Sequence, residues 1–335
     1  MVRTGGMTML SYIAKRLVIM IPTLIGISIV AFLLITLPPG NYLDTYMAEL
    51  RRSGAEVDMA RIKSLEIRYG VNDPVYVQYW KWAKGFVKGD MGMSFRLRRP
   101  VVDLVKERLG WTLIISTCTL IFTWVTAIPI GIYSAVRQYS LFDYIFTAIS
   151  FIGQSIPSFL LALVLMFLGI SLFNVEVGGL MSSQYLGASM SWDKFVDILK
   201  HIWVPILVVG TGGMAGLVRV MRGQMLEEMG KHYVKTARSK GISERRVVIK
   251  HAARIALNPL LSTAGWILPT LVSGETIVGI VLGLPTLGAL LFDALRGQDM
   301  YLAGSIIMIL SSLVVVGTLI SDLLLVLADP RIRFE

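Results

Sequence analysis

Six long apolar stretches constrain the fold of this 335-residue chain more than any other feature of its sequence. A helix that crosses the hydrocarbon core of a membrane needs about 20 mostly apolar residues. With 55% apolar and only 16% charged residues, the chain is too hydrophobic for a soluble domain. The sequence predicts an all-α integral membrane protein with six transmembrane helices, at about residues 17–37, 111–136, 144–173, 202–218, 260–282 and 302–327.

Lysine and arginine are concentrated on one side of these predicted spans. Segments on the same side as the N-terminus carry sixteen of them, while the short segments on the other side carry three. Because cytoplasmic segments carry this excess, both termini are predicted to be cytoplasmic. The chain then divides into an N-terminal segment with the first span (1–37), a long extracytoplasmic loop (38–110) and a five-helix core (111–335). Loops longer than about 60 residues cross membranes largely regardless of their charge.

The outer loop contains an aromatic-rich piece, PVYVQYWKW, at residues 74–82. Tyrosine and tryptophan are favoured at the level of the lipid headgroups, so this piece could lie along the membrane surface. It could equally be part of a small packed cap outside the membrane. Both interpretations stay open on the sequence alone.

A basic insert separates the fourth and fifth predicted spans. Residues 219–259 carry ten Lys and Arg against three Glu, which places the insert in the cytoplasm. Tyr233 to Lys240 is predicted to be helical, Gly241 to take the left-handed conformation that closes a helix, and Ser243 to cap a second helix running towards Leu257. Two short helices that meet at a glycine form a compact knob, positioned for a soluble partner.

The sequence lacks common motifs for nucleotide binding, nucleophilic catalysis and zinc binding. It contains no G-x-x-x-x-G-K-[ST] phosphate loop, no G-x-S-x-G elbow and no H-E-x-x-H zinc motif. Its three histidines lack metal-ligand spacing, and a single cysteine, Cys118, allows no internal disulfide. The net charge of +10 comes mostly from the insert, so topology accounts for it better than nucleic-acid binding does. We therefore expect no enzyme and no cofactor in this chain.

Two features inside the spans could line a translocation path. The third span is interrupted by Gln154, Ser155, Pro157 and Ser158, and the fifth contains Glu275. Polar residues at membrane depth often mark a pathway, and Glu275 could belong to an ion-coupled carrier that works alone. Helix packing accounts for the proline kink equally well, and Glu275 could instead lie near the membrane surface. Four glycines in the fourth span, within 210–216, predict close helix packing.

The insert resembles a known family. Its segment YVKTARSKGISERRVVIKHAARIALNP, residues 233–259, is similar to the cytoplasmic EAA loop of binding-protein-dependent ABC importer permeases. The resemblance covers nearly the whole chain and is strongest to the dipeptide/oligopeptide branch. The matching pieces, in order, are residues 16–34, 73–82, 89–95, 128–137, 155–163, 274–276 and 329–334. The name-giving Glu-Ala-Ala reads Lys235-Thr236-Ala237, and the usual Trp-Pro-Gly-Leu-Gly reads LPTLG at 284–288.

This resemblance implies a division of labour among several proteins. The knob would be the coupling helix that contacts a separate ATPase subunit, where ATP and Mg would bind. Two such ATPases, a homologous second permease, an extracytoplasmic substrate-binding protein and the lipids of the inner membrane would complete the importer. The cargo would be di- or oligopeptides, with oligosaccharides as the alternative suggested by the 284–288 variant. Gly241 would shape the knob and Ala237 would keep its face thin. Its basic residues Arg238, Lys240, Arg245 and Arg246 would pair with acidic groups. The implied coupling residues are Tyr233, Thr236, Ala237, Arg238, Ser239, Lys240, Gly241, Ile242, Ser243, Arg245 and Arg246.

Overall fold

The computed structural model describes residues 9–37, 47, 63, 73–173, 177–262 and 276–328 of the chain. In this part the secondary structure is helical, apart from one isolated β-bridge between Met93 and Pro100. Residues 244–256 form one composite helix, α8, whose middle section Val247–Ala253 is π-helical. Residues 258–262 and 276–281 are also helical. The other helices are α1 (Met9–Thr36), α2 (Val75–Val87), α3 (Val101–Val136), α4 (Leu141–Ser155), α5 (Ser158–Phe173), α6 (Trp192–Met229), α7 (His232–Ser239), α9 (Leu287–Arg296) and α10 (Met300–Ala328).

Four of the described helices, α1, α3, α6 and α10, are long and apolar enough to cross a membrane. They contain the first, second, fourth and sixth predicted spans. Two of them extend well beyond the predicted spans: α3 begins at Val101, inside the predicted outer loop, and α6 runs for 38 residues through the first part of the basic insert. The fifth predicted span is described only at its ends, because residues 263–275 lie outside the described residues. The count of six spans and the cytoplasmic termini stay predictions.

The third predicted span is not one straight helix. It consists of α4 and α5, whose axes are bent by 101° at a short break. Pro157 causes the break because it has no backbone N–H and disfavours the helical conformation in the residue before it. Ile156 accordingly has extended backbone angles, with φ −86° and ψ 123°. The predicted kink at Pro157 is therefore a complete break in the helix, and a single span over residues 144–173 stays a prediction.

The chain forms two compact units. The first comprises Met1–Arg16, Thr112–Leu284 and Val314–Glu335, and the second Leu17–Trp111 and Pro285–Leu313. One of these borders, between residues 111 and 112, coincides closely with the predicted end of the outer loop. The assignment of each segment to one side of the membrane stays a prediction.

In the second unit, helix α2 explains the aromatic-rich piece of the sequence. Trp82 is buried, and its ring centroid lies 5.8 Å from that of Phe32 in α1. Gly304 provides room for this packing, since a Cβ atom there would lie 3.2 Å from the Trp82 ring. Tyr76 and Trp80, in contrast, are exposed. One face of α2 is therefore packed, as a cap would require, and the other leaves aromatic rings free for a headgroup layer.

A buried carboxylate anchors the start of α10 in the same unit. Asp299 accepts hydrogen bonds from the Ser94 hydroxyl at 2.6 Å and from the backbone N–H of Leu302 at 3.2 Å. It thereby caps the helix and fastens the preceding loop to it. Burial raises the pKa of Asp299 above its ordinary value, since the hydrogen bonds offset the desolvation only in part.

In the first unit, glycine lets α3 approach α6 closely. A Cβ atom at Gly210 would lie 2.7 Å from the Phe122 ring and 3.1 Å from the Thr123 hydroxyl. A Cβ atom at Gly216 would meet no atom of the described residues within 4 Å. The predicted role of these glycines in close packing is confirmed at Gly210 and stays a prediction at Gly216.

These two glycines make a matched pair for a stability test. Replacing either by alanine favours the helix by about 1 kcal/mol. In Gly210→Ala the new methyl group displaces Phe122, which costs roughly 1–3 kcal/mol. We expect Gly216→Ala to unfold at or above the wild-type temperature in detergent and Gly210→Ala below it. Equal midpoints for the two variants would contradict this packing.

Candidate functional site

The knob of the basic insert has the predicted helix–glycine–helix form. Helix α6 continues to Met229, so the first eleven residues of the predicted insert extend a membrane helix. Helix α7 then occupies His232–Ser239, and α8 begins at Glu244, after Ser243. Ser243 stands at the N-cap position as predicted, but its side chain makes no capping hydrogen bond. We call residues 230–256 the coupling loop, after the role that the family resemblance implies, and this role stays a prediction.

Gly241 closes α7 with a Schellman motif. Its φ of +74° lies in the left-handed region, which glycine adopts without steric cost. The N–H of Gly241 donates to the carbonyl of Arg238 at 2.9 Å, and the N–H of Ile242 to the carbonyl of Ala237 at 3.3 Å. Both bonds are those expected of the motif, and the half-buried Ile242 supplies its hydrophobic contact. The local prediction for Gly241 is confirmed.

A continuous apolar cluster attaches the coupling loop to the membrane helices. Val234 and Ala237 of α7 pack with Val247, Val248, Ala252, Ala253 and Ala256 of α8. The same cluster includes Met221 and Met225 of α6 and Ala135 of α3. Gly131 of α3 makes this contact close, because a Cβ atom there would lie 2.6 Å from the Met221 side chain. The knob is therefore a rigid extension of α6 and α3.

Ala237 lies at the contact between α7 and α8. Its side chain is only 8% exposed and lies inside the apolar cluster. Its small size determines how closely α7 packs on α8, and its role in keeping the face of the knob thin stays a prediction. The sequence pattern could have shown this, since Val234 and Ala237 are three residues apart and share one face of a helix.

An ion pair bridges the turn at Gly241. The Arg238 guanidinium donates to both carboxylate oxygens of Glu244, at 2.6 and 3.0 Å. This bidentate geometry is the strongest form of the arginine–carboxylate pair. The hydrogen bond from Arg238 lowers the pKa of the Glu244 carboxyl below its ordinary value. Sequence reasoning missed the pair because the two residues are six apart and lie on different helices.

A second polar contact joins α7 to the end of α6. The Tyr233 hydroxyl donates to the buried carboxylate of Glu228 at 2.5 Å. Burial, together with this hydrogen bond, raises the pKa of the Tyr233 phenol above its ordinary value, so the phenol stays protonated and keeps donating at physiological pH. Tyr233 is predicted to contact a partner subunit. Within the chain, its hydroxyl fastens α7 to the end of α6.

The remaining predicted coupling residues form the outward surface of the knob. Lys240, Arg245 and Arg246 are exposed and have no ion-pair partner among the described residues. Their charges are thus available to a partner. Thr236, Ser239, Gly241 and Ser243 are exposed beside them.

The structure describes four of the five residues predicted to line a translocation path. Gln154, Ser155 and Pro157 are exposed at the break between α4 and α5. Ser158 lies against α6, where a Cβ atom on Gly212 would be 3.4 Å from its hydroxyl oxygen. Glu275 lies outside the described residues. Within the described ranges no group of His, Cys, Asp and Glu could hold a metal ion.

Comparison with a solved structure identifies the class of fold. The chain superposes on a structure titled inward-facing conformations of the MetNI methionine ABC transporter, with a TM-score of 0.53 and 18% sequence identity. The match covers 68% of this chain and 96% of that one. At this identity the likeness concerns the fold, which is that of a chain in an ABC transporter.

Sequence comparison identifies the family. Residues 127–334 match the family described as binding-protein-dependent transport system inner membrane component, and residues 9–116 match the N-terminal family of such membrane components. The chain therefore belongs to the binding-protein-dependent inner membrane components, as the resemblance implied, and is a multi-pass membrane protein. A carrier that acts alone does not fit a family of transport-system components.

Two curated relatives match over almost their whole length. The oligopeptide transport system permease protein AppB of Bacillus subtilis is 37% identical over 327 residues, which cover 97% of this chain and 100% of AppB. The dipeptide transport system permease protein DppB of Escherichia coli K12 is 32% identical over 343 residues, which cover 98% of this chain and 100% of DppB. Both belong to the branch that the motifs indicated.

The ion pair across Gly241 leads to a test in the purified chain. An exposed pair of this kind is worth about 0.3–1 kcal/mol. Arg238→Glu should therefore increase amide hydrogen exchange at Gly241 and Ile242 by roughly two- to fivefold, and adding Glu244→Arg should restore protection. Because the pKa of Glu244 is lowered in the folded loop, the stabilisation is complete above its ordinary value of 4.5 and is lost as the pH falls through the lowered value.

The Lys231–Glu227 pair provides the matched control for this test. It is also exposed, with an Nζ–Oε1 distance of 2.7 Å, but it lies outside the turn. Glu227→Lys should leave exchange at Gly241 and Ile242 unchanged. A double charge swap that fails to restore protection would mean that the pair does not hold the turn.

Proposed function

We propose that this chain is the permease subunit of an ABC importer for di- and oligopeptides, and that the coupling loop 230–256 seats in an ATPase subunit. The observation that carries the proposal is the rigid, outward-basic knob fused to α6 in a chain that has no phosphate-binding motif of its own. Family membership and the fold support it. ATP and Mg would bind to two partner ATPases, so this chain acts as a transport subunit and not as an enzyme.

Rigidity makes the coupling loop suited to transmit motion. The loop is fastened at its turn by Gly241 and the Arg238–Glu244 pair, and at its base by Tyr233–Glu228 and the apolar cluster around Met221. A displacement of the knob therefore displaces α6. This helix of 38 residues is about 57 Å long at 1.5 Å per residue, longer than the membrane is thick. Closure of two ATPases would thus move the spans as rigid bodies.

Charge complementarity is the proposed basis of ATPase recognition. Lys240, Arg245 and Arg246 carry charges that no described residue neutralises. Acidic side chains around a groove in the ATPase would pair with them, while Arg238 is already engaged by Glu244. The named coupling residues therefore divide into those that shape the knob and those that contact the partner.

The cargo is inferred from the relatives. AppB and DppB are named as oligopeptide and dipeptide permeases, and their similarity to this chain covers nearly its full length. This chain would form half of the path, with a second homologous permease as the other half and an extracytoplasmic binding protein as the donor of substrate. The break at Gln154–Ser158 offers polar groups at membrane depth for such a path.

Substitution of Gly241 tests the coupling role. Valine is strongly disfavoured at a φ of +74°, and a strain of about 1–2 kcal/mol shifts the balance of loop conformations roughly tenfold. In the complete transporter, Gly241→Val should lower ATP-dependent uptake by about tenfold, and Gly241→Asn, which tolerates the left-handed conformation, should largely retain it. Co-purification with the ATPase measures assembly separately.

Gly187 provides the control for backbone strain. It has a φ of +77° in the predicted outer segment between α5 and α6, and, as at Gly241, no atom of the described residues lies within 4 Å of its Cβ position. Gly187→Val imposes the same kind of strain away from the coupling loop and should keep ATP hydrolysis coupled to uptake. Normal uptake in Gly241→Val would refute the coupling role.

Reconstitution tests the cargo. Proteoliposomes with this chain, its partner permease, both ATPases and the cognate binding protein should take up labelled di- or oligopeptides only when ATP is supplied. Uptake of oligosaccharides in place of peptides would replace the proposed substrate class. Uptake by this chain alone without ATP would instead overturn the importer mechanism.

A further inference from the structure

Helix α8 of the coupling loop contains seven residues with π-helical winding, Val247–Ala253. Ordinary α-helical hydrogen bonds stand on both sides of this section. The N–H of Val247 donates to the carbonyl of Ser243 at 3.0 Å, and the N–H of Leu257 donates to the carbonyl of Ala253 at 3.0 Å. π-Helical turns are rare and occur mostly as single wide turns inside α-helices, frequently at functional sites. The section therefore interrupts a helix that is otherwise regular.

The π-helical section holds about one residue more than an α-helix of the same rotation. An α-helix turns by about 100° per residue. A π-helix, whose hydrogen bonds join residues five apart, turns by roughly 82° per residue. From Val247 to Ala253 the difference adds up to roughly 110°, about the rotation of one α-helical residue. The section is thus equivalent to a one-residue insertion in a regular helix.

This insertion keeps the apolar face of α8 on one side. The buried residues that this part of the chain contributes to the apolar cluster are Val247, Val248, Ala252, Ala253, Ala256 and Leu260. With the observed winding, they lie within an arc of about 130° around the helix axis. With α-helical winding throughout, they would spread over about 240°, and the exposed Ile255 would lie between Val247 and Val248.

Packing does not by itself require the additional residue. Ile249 is 56% exposed and lies outside the buried arc. If it were removed and α8 were α-helical throughout, the same buried residues would lie within an arc of about 140°. A regular helix that is one residue shorter would therefore bury the same side chains. The wide turn has a role other than the burial of this face.

The section separates two parts of α8 that are attached to different elements. On its N-terminal side, Glu244 is fastened to α7 by the ion pair with Arg238. On its C-terminal side, the chain continues through residues 258–262 into the fifth predicted span. A change from π to α winding would turn these two parts against each other by about 100°.

The composition of the cluster favours such a rotation. The cluster residues that would move with the C-terminal part are Ala252, Ala253, Ala256 and Leu260. Three of these four are alanines, which have less apolar surface to lose than a larger side chain. The anchors Met221 and Met225 belong to α6 and would stay in place.

We propose that Val247–Ala253 is a rotary joint of the coupling loop. It changes between π and α winding as the transporter changes state, and it thereby turns the fifth predicted span against the tip of the loop, residues 240–246. This inference rests on the proposed coupling role and adds a second movement to it. The knob moves with α6, while the helix that follows the joint takes a different rotation.

Deletion of Ile249 tests the joint, because only α winding then keeps the apolar face together. The purified variant should unfold near the wild-type temperature and should co-purify with the ATPase. ATP-dependent uptake by the complete transporter should fall about tenfold or more, since a joint with a single winding cannot turn. Ile249→Ala removes the side chain but keeps the number of residues, so it should retain uptake.

Deletion of Gly223 is the matched control for folding. Gly223 is also exposed and also lies between two buried cluster residues, Met221 and Met225, but its helix α6 is regular. Its removal turns Met225 away from the cluster by about 100°. This variant should therefore unfold well below the wild-type temperature.

Hydrogen exchange measures the change of winding directly. In the complete transporter, amide exchange at residues 251–254 should differ between the nucleotide-free and the ATP-bound state, while exchange in α7 should stay the same. Equal exchange at residues 251–254 in both states would overturn the proposal.

Three further results would overturn it. The first is wild-type uptake by the Ile249 deletion. The second is unfolding of this variant as far below the wild type as the Gly223 deletion, which would show that packing depends on the π turn. The third is an equal loss of uptake in Ile249→Ala, which would assign the effect to the side chain. Failure of the coupling role itself is seen separately, as a wild-type chain that does not co-purify with an ATPase.

Discussion

The burial of one apolar face of the coupling loop on Met221 and Met225 is the interaction on which the proposed mechanism depends. Without it, α7 and α8 would be short helices tethered by a flexible link, and short isolated helices are marginal in water. With it, both helices belong to the packed core of the first unit. The contact at Gly131 brings α3 into the same cluster, so the knob is connected to two membrane helices.

Two backbone breaks shape the regions of functional interest, and each has a local chemical cause. Pro157 ends α4 because its ring removes a backbone donor and forces Ile156 into an extended conformation. Gly241 ends α7 because it alone in that segment adopts a positive φ. The first break turns the chain through 101°, while the second folds two helices onto one cluster. A change at either position would redirect a whole helix.

The local features of the coupling loop could be predicted from sequence because neighbouring residues determine them. Gly241 follows a helix-forming segment, and a glycine there indicates the turn. Features that depend on distant residues could not be predicted. The sequence indicates a break at Pro157, but the angle of 101° depends on what packs on either side. The inward direction of Ala237 likewise depends on α6. Helices α3 and α6 extend beyond their apolar stretches because their ends pack on protein, and hydropathy detects only the lipid-facing part.

In the basic segment, the position of each Lys and Arg along α6 and the coupling loop is more informative than the net charge. Arg219 and Arg222 stand at the apolar boundary of α6, where one lies over a ring and the other pairs with Asp143. Further along, Lys231 and Arg238 pair with Glu227 and Glu244 within the loop. Lys240, Arg245 and Arg246 at the tip have no ion-pair partner among the described residues. All of these charges fit the rule that cytoplasmic segments carry an excess of Lys and Arg. Their number alone therefore cannot distinguish a lipid contact from an internal ion pair or a docking surface. Their different neighbours can, because an arginine paired with a buried carboxylate is neutralised within the chain, whereas an exposed one at the tip leaves its charge for a complementary surface.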